Sequence, residues 1–193
     1  VRIHQSILPA HREAAARLYW QAFGGKLGAV LGPDHKAWAF LDRVLDPTHA
    51  LTAVDDKGRL LGVVGYKTRQ SALVGGGMRD MVAVYGLLGA LWRVVLIALL
   101  ERDTENNRFL MDGIFVTPEA RGQGVGTALL DAISKEAAAR GYAEIRLDVI
   151  DSNPRARQLY ERRGFVAVQT VQLGPLRHIF GFRSATTMVR AIG

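Results

Sequence analysis

Two stretches hold the residues whose types and spacing can do chemistry. The first, Met111 to Arg140, reads MDGIFVTPEARGQGVGTALLDAISKEAAAR: an apolar run to Val116, then Pro118, a glycine-dense turn and an amphipathic helix. In Arg121-Gly122-Gln123-Gly124-Val125-Gly126, three Gly residues alternate ahead of that helix. Glycine lets backbone come close to a ligand, and the first N–H groups of a helix have no intrahelical acceptor. A pyrophosphate suits such a turn: the N–H groups donate, the helix dipole assists and Arg121 adds positive charge. A tight strand-to-helix turn with no ligand fits the glycine spacing equally well. The turn is not a P-loop, since no Gly-Lys-Ser/Thr follows. It is also a poor dinucleotide fingerprint, with its third Gly one residue early and Arg146 where an acid for the ribose is expected.

The second stretch lies one strand downstream: Leu147-x-Val149-x-x-x-Asn153-x-x-Ala156-x-x-Leu159-Tyr160-x-x-x-Gly164-Phe165. Taken together, the two stretches resemble the GNAT acetyltransferases, which use acetyl-CoA. The family's cofactor-loop pattern, Arg/Gln-x-x-Gly-x-Gly/Ala, is met by Arg121, Gly124 and Gly126, and Val116-x-Pro118-x-x-Arg121-Gly122 ahead of it also fits. The resemblance is specific over Leu110 to Phe165 and weaker, though topologically consistent, elsewhere.

The resemblance implies a role for each matched position. Backbone N–H groups of Arg121, Gly122, Gln123, Gly124, Val125, Gly126 and Thr127 hold the CoA pyrophosphate. The strand edge at Ile114, Phe115 and Val116 pairs with the pantetheine arm, in a gap where this strand splays from the next. Asn153 touches the pantetheine, a role compatible with a plain helix N-cap. Tyr160 protonates the departing thiolate, for which a phenol of pKa ~10 is suited; a core tyrosine on a short helix is the alternative. Asp112 is the candidate base, at a position where some family members carry a Glu. Strand periodicity sets Asp112, Ile114 and Val116 on one face, and a carboxylate in an apolar strand needs a reason. A salt-bridged structural Asp and water-relayed proton removal stay open. Trp20, Phe23, Trp38 and Phe40 are candidates for an acceptor pocket, or simply core.

These residues need a scaffold. The pattern predicts strands at Val1–Leu8, Ala50–Val54, Leu60–Lys67, Phe109–Val116, Ala143–Ile150, Phe165–Leu173 and about His178–Val189. It predicts helices at Ala10–Phe23 (ended by Gly24-Gly25), His35–Leu45, Gly124–Arg140 and Pro154–Arg163. Glu101 to Arg108 reads as a polar loop. The expected fold is α/β (α+β): a single domain over 1–193 with a mixed, mostly antiparallel central sheet flanked by helices. An extra apolar helical segment at about 81–102 departs from the family pattern. It opens after Gly75-Gly76-Gly77 and approaches the length of a membrane span. Arg93 falls mid-run, where a bilayer centre charges at least ~2.5 kcal/mol for it, so a buried or partner-facing helix is favoured over a membrane role. A lid, a dimer surface and a docking face for an apolar acyl group or membrane are its open uses.

Composition sets the outer limits. Of 193 residues, 49% are hydrophobic and 22% charged, a globular balance. The net charge of +7 is spread without a basic block, so phosphorylated cofactors or acidic partners are expected and nucleic acid is not. The absence of Cys excludes disulfides and a cysteine nucleophile and allows a reducing, cytoplasmic setting. Val1 to Leu8 shows no apolar signal-peptide core. The five His residues are dispersed, so no metal is expected. The reading is an N-acetyltransferase moving acetyl from acetyl-CoA to a primary amine, small molecule or peptide. Without Cys, direct transfer in a ternary complex is favoured over an acyl-enzyme. A non-catalytic CoA-binding sensor or scaffold and a membrane-surface acyltransferase are the alternatives, and a homodimer is compatible with the sequence.

Overall fold

The structure, a computed structural model, describes residues 1–100 and 107–192. In chain order the elements are β1 (Arg2–His4), α1 (Arg12–Leu31), α2 (Asp34–Val44), β2 (Ala50–Val54), β3 (Leu60–Lys67), α3 (Met78–Leu100), β4 (Phe109–Val116), α4 (Val125–Ala139), β5 (Glu144–Ile150), α5 (Pro154–Arg162), β6 (Val166–Gln172), α6 (Arg177–Phe180) and β7 (Ser184–Ala191). One seven-stranded sheet runs in the order β1-β2-β3-β4-β5-β7-β6. Every neighbouring pair is antiparallel except β4–β5, which is parallel. This is the mixed α/β architecture expected from the sequence.

Each face of the sheet carries its own core. On one, the apolar stripe of α4 (Val125, Leu129, Ile133, Ala137) is buried against Leu51, Val64, Phe109 and Leu147. Removing each of its large side chains from water stabilises the fold by roughly 1.5–3 kcal/mol. On the other, α1, α2 and part of α3 cover Val63 and Phe115.

Three boundaries differ from the sequence expectation. The helix α1 does not stop at Gly24-Gly25; it continues to Leu31. Each helical glycine costs about 1 kcal/mol relative to Ala. The Trp20 ring packs over Gly24, 3.2 Å from where a Cβ would stand. Helix α3 also caps the far end of α1, with Tyr85 Oη donating to Leu31 O at 2.5 Å and Arg93 Nε to Val30 O at 2.6 Å. Expected as strand, residues 177–180 instead form α6, closed by Gly181 in the left-handed region, because Phe180 and Phe182 turn into the core under α1. The first strand is only Arg2–His4, and Pro9 opens a 3-10 turn ahead of α1.

Helix α3, expected as a buried or partner-facing helix, is buried along one side only. Met81, Tyr85 and Ala90 are buried, while Leu87, Leu88, Leu91, Trp92 and Val95 are exposed, Leu88 at 82%. Gly86 breaks its regularity with φ 70 and ψ 170. The polar loop predicted from Glu101 lies mostly outside the described residues, as do positions 101 and 102 of the apolar segment.

Candidate functional site

Among the described residues, strands β4 and β5 meet only at Phe109↔Ile145 and Leu110↔Arg146. Beyond that point, among the described residues, β4 runs to Val116 paired with β3 alone. A parallel pair that stops after two positions leaves a wedge, and the glycine turn stands at its wide end.

Backbone alternation decides which groups face the wedge. Thr117 N donates to Leu61 O of β3 at 2.9 Å, so Thr117 and Phe115 direct their backbone groups to β3. Ile114 and Val116 then offer theirs to the open edge, and Arg121 Nε reaches Val116 O at 3.3 Å from that side. Of the three matched edge residues, Phe115 contributes a side chain instead: its ring meets Tyr19 at 5.7 Å and Phe23 at 6.1 Å.

The three glycines of the turn have different reasons. Gly122 and Gly124 hold φ of +77 and +81, and a Cβ on either would meet only open space. Left-handed backbone with nothing above it is a cradle that an L side chain would strain and fill. Gly126 has no positive φ; its missing Cβ makes room for Leu159 of α5, 3.2 Å away. Gly124 is the N-cap of α4 with no side-chain cap, and the first helical bond is Ala128 N to Gly124 O. The N–H groups of Val125, Gly126 and Thr127 are thus the orphan donors of the first turn, at the positive end of the helix dipole. Gln123 ties the turn back through Nε2 to Glu119 O at 2.6 Å. The donors and the unpaired strand edge fit a pyrophosphate followed by an extended, amide-bearing arm.

A family model described as the acetyltransferase (GNAT) family matches residues 12–165, most of the chain. The chain belongs to the GNAT acetyltransferases. A thialysine N-epsilon-acetyltransferase of Bos taurus is 39% identical over 54 residues, covering 28% of this chain and 32% of that protein. The match therefore spans about a third of the relative's length. Among solved structures, nourseothricin acetyltransferase is 25% identical with a TM-score of 0.51, covering 75% of this chain and 65% of that one. An N-acetyltransferase from Staphylococcus aureus Mu50 has a TM-score of 0.66 at 14% identity, over 98% and 100% of the two chains, a likeness of fold. The GNAT family uses acetyl-CoA as cosubstrate, in keeping with the cradle and edge described above.

The other residues that the resemblance matched lie at the start of α5, within it and on β4. Asn153 caps α5, its Oδ1 accepting from Ala156 N at 3.2 Å, which leaves the amide Nδ2 as a donor at the exposed helix start. Tyr160 is buried beside Phe165, ring centres 5.7 Å apart. Burial pushes its phenol well above the ordinary tyrosine value, so it stays protonated throughout the neutral range.

Asp112 corrects the periodicity argument. The β3–β4 register pairs Gly65 with Gly113 and Tyr66 with Met111, so Asp112 is the extra residue of a β-bulge. The bulge breaks the alternation, and Asp112 does not share a face with Ile114 and Val116. Those two pack toward the α4 core. Asp112 instead acts on two residues of α1, Tyr19 and Lys26. Burial first, and then Asp112, raise the Tyr19 phenol.

Of the aromatic candidates, Phe23 alone lies against β4, filling the space over Gly113. Trp20 and Phe40 are core, and Trp38 stands outside under Arg17, 5.1 Å from its ring centre. Sequence reasoning missed Tyr19, Lys26 and Asp148. The helical spacing of Tyr19, Phe23 and Lys26 was legible, but the premature end assigned to α1 hid the last of them.

Proposed function

We propose that the chain transfers an acetyl group from acetyl-CoA to a primary amine by direct attack in a ternary complex. The observation that carries this reading is the β4–β5 wedge with an empty-faced glycine cradle at its mouth. Acetyl-CoA supplies the activated thioester. The N–H groups of Val125, Gly126 and Thr127, with Gly122 and Gly124 in the same turn, receive its pyrophosphate, whereas those of Arg121 and Gln123 already donate to Pro118 O and Ala120 O. The edge groups of Ile114 and Val116 bind the pantetheine amides as an added strand does. Asn153 Nδ2 donates to the same arm. Asp112 takes the proton of the incoming ammonium from the α1 side. Tyr160 gives its phenolic proton to the departing thiolate. Thiol release from acetyl-CoA with a broad amine panel tests the reading. Acceptor-dependent release supports it, and tight CoA binding without release on any amine favours a sensor.

The exposed stripe on α3 favours a second, compatible reading, a role at an anionic membrane surface. Met78–Ala98 is long and apolar enough to cross a bilayer, with a mean hydropathy of 2.0 and only 17% of its most apolar stretch buried. Its flanks return to β3 and β4, neighbours in one sheet, which suits a helix lying on a membrane rather than spanning it. Arg93 is no obstacle, since it turns inward to Val30 O, Gly32 O and Gly89 O. The exposed stripe from Leu87 to Val95 is apolar on a chain of net charge +7, which suits anionic lipid better than a second copy of itself. Flotation with phosphatidylserine vesicles tests this. Recovery with the vesicles, lost in Leu88→Asp, supports it; a protein that stays at the bottom, alone or as a dimer, sinks it.

A further inference from the structure

Gly113 stands at the β-bulge of β4, opposite Gly65 of β3. Neither glycine has a positive φ, so the backbone does not demand them. Each is explained by a side chain from another element. The tip of the Phe23 ring, from α1, lies 2.5 Å from where a Cβ on Gly113 would stand, and Leu73 lies 2.5 Å from the corresponding point on Gly65. Two facing glycines are thus filled, on the α1 side of the sheet, by two apolar side chains that approach the backbone itself.

The place of this seam along β4 sets it where a thioester arrives. The cradle lies beyond Val116, at the wide end of the wedge, and the groups on the open edge belong to Val116 and then Ile114. A pantetheine arm bound there runs from the turn back toward the point where β4 and β5 join, at Leu110↔Arg146. Past its second amide only two carbons precede the sulfur, a span of about one residue of strand, ~3.3 Å. The thioester therefore reaches β4 at Gly113 and Asp112.

Around that point an acyl chain has little room. On the α4 side Met111, Leu147 and Tyr160 are buried in the core, and farther along the strands pair and close the wedge. On the α1 side the Phe23 ring stands over Gly113, with the ring centres of Tyr19 and Phe115 at 4.7 Å and 6.1 Å. Phe23 is only half-buried, unlike Phe115, which suits the wall of an open site. We propose that Phe23, seated on Gly113, is the wall that the acyl group meets and that it selects acetyl-CoA against donors with longer acyl chains. Each added methylene has to displace a ring already in contact with backbone and braced by two others, and such overpacking is unfavourable. The assignment rests on the transfer reading and names the residue that sets its donor range.

The test measures kcat/KM for acetyl-, propionyl- and butyryl-CoA with each amine of the panel that supports acetyl release. The parent is expected to favour acetyl-CoA over butyryl-CoA by at least about tenfold. Phe23→Ala, which empties the space over Gly113, is expected to bring the two donors within about threefold of each other, with Phe23→Leu between it and the parent. Loss of packing alone lowers the rates with all donors together, so the ratio decides, and Phe23→Leu carries the test where the alanine variant fails to fold. A parent that uses butyryl-CoA as well as acetyl-CoA, or an acetyl preference undiminished in the folded variants, overturns the proposal while leaving amine transfer intact. Release from no donor on any amine, with CoA still bound, overturns the transfer reading and this proposal together.

Discussion

Asp112 and Asp148 stand on adjacent parallel strands, each two residues past the last paired positions. The relationship exists because β4 and β5 separate and because a bulge turns Asp112 toward α1. Without the bulge, strict alternation would leave Asp112 on the α4 side with Ile114 and Val116. The proposed proton removal then falls on the face of the sheet opposite the α4 core.

Gly124→Glu is expected to abolish CoA binding. It places a side chain where the backbone has φ of +81 and sets an anion in the cradle. Gly124→Ala carries only the backbone strain, about 1–2 kcal/mol, and keeps measurable binding. Calorimetric titration with CoA separates the two, and unchanged affinity in the Glu variant removes the cradle assignment.

Tyr160→Phe is expected to lower kcat by roughly 10²-fold with CoA affinity within about twofold of the parent. Because burial raises the phenol, the parent enzyme keeps its acid protonated and shows no loss of rate from Tyr160 below pH 9. A variant with parental turnover makes Tyr160 a packing residue.

Asp112→Asn is expected to lower kcat/KM for the amine by about 10–10²-fold near pH 7. The deficit shrinks as pH rises, because the acceptor then arrives already deprotonated. Parallel pH profiles for parent and variant would assign Asp112 to positioning rather than proton removal.

Asp46 governs acid stability. Burial alone would raise its carboxyl, but the hydroxyls of Thr48 and Ser71 and the Thr48 N–H, with His49 beside them, bring it down to about 2. The folded value lies below the unfolded one near 4, so this stabilisation is complete above that pH and lost as pH falls toward 2. Its size is on the order of 1–2 kcal/mol. Asp46→Asn is expected to lower Tm at pH 7 by on the order of 4 °C, with the gap closing below pH 3. A gap of constant size from pH 7 to pH 2.5 contradicts this.

Much of the cofactor half was legible in local pattern. The alternation of Glu144–Ile150, the stripe of α4, the cap at Asn153 and the hairpin at Asp55–Gly58 are set by neighbours in the chain, and their elements fall within a residue or two of expectation. The turn from Arg121 to Gly126 belongs with them, since glycine at left-handed positions is a local requirement.

The acceptor half was decided by tertiary structure. Glycines at 24 and 25 look like a helix end until Tyr85 and Arg93, from a segment more than fifty residues away, satisfy the carbonyls of Leu31 and Val30 and carry α1 onward to Leu31. Alternation puts Asp112 with Ile114 until the register against β3 slips by one. The apolar run of α3 reads as a buried or partner-facing helix; because α1 and α2 already cover the sheet, only part of it is buried and Leu88 and Trp92 stay outside. Local sequence determines what a segment prefers; which face meets which neighbour depends on the contacts of residues far apart in the chain.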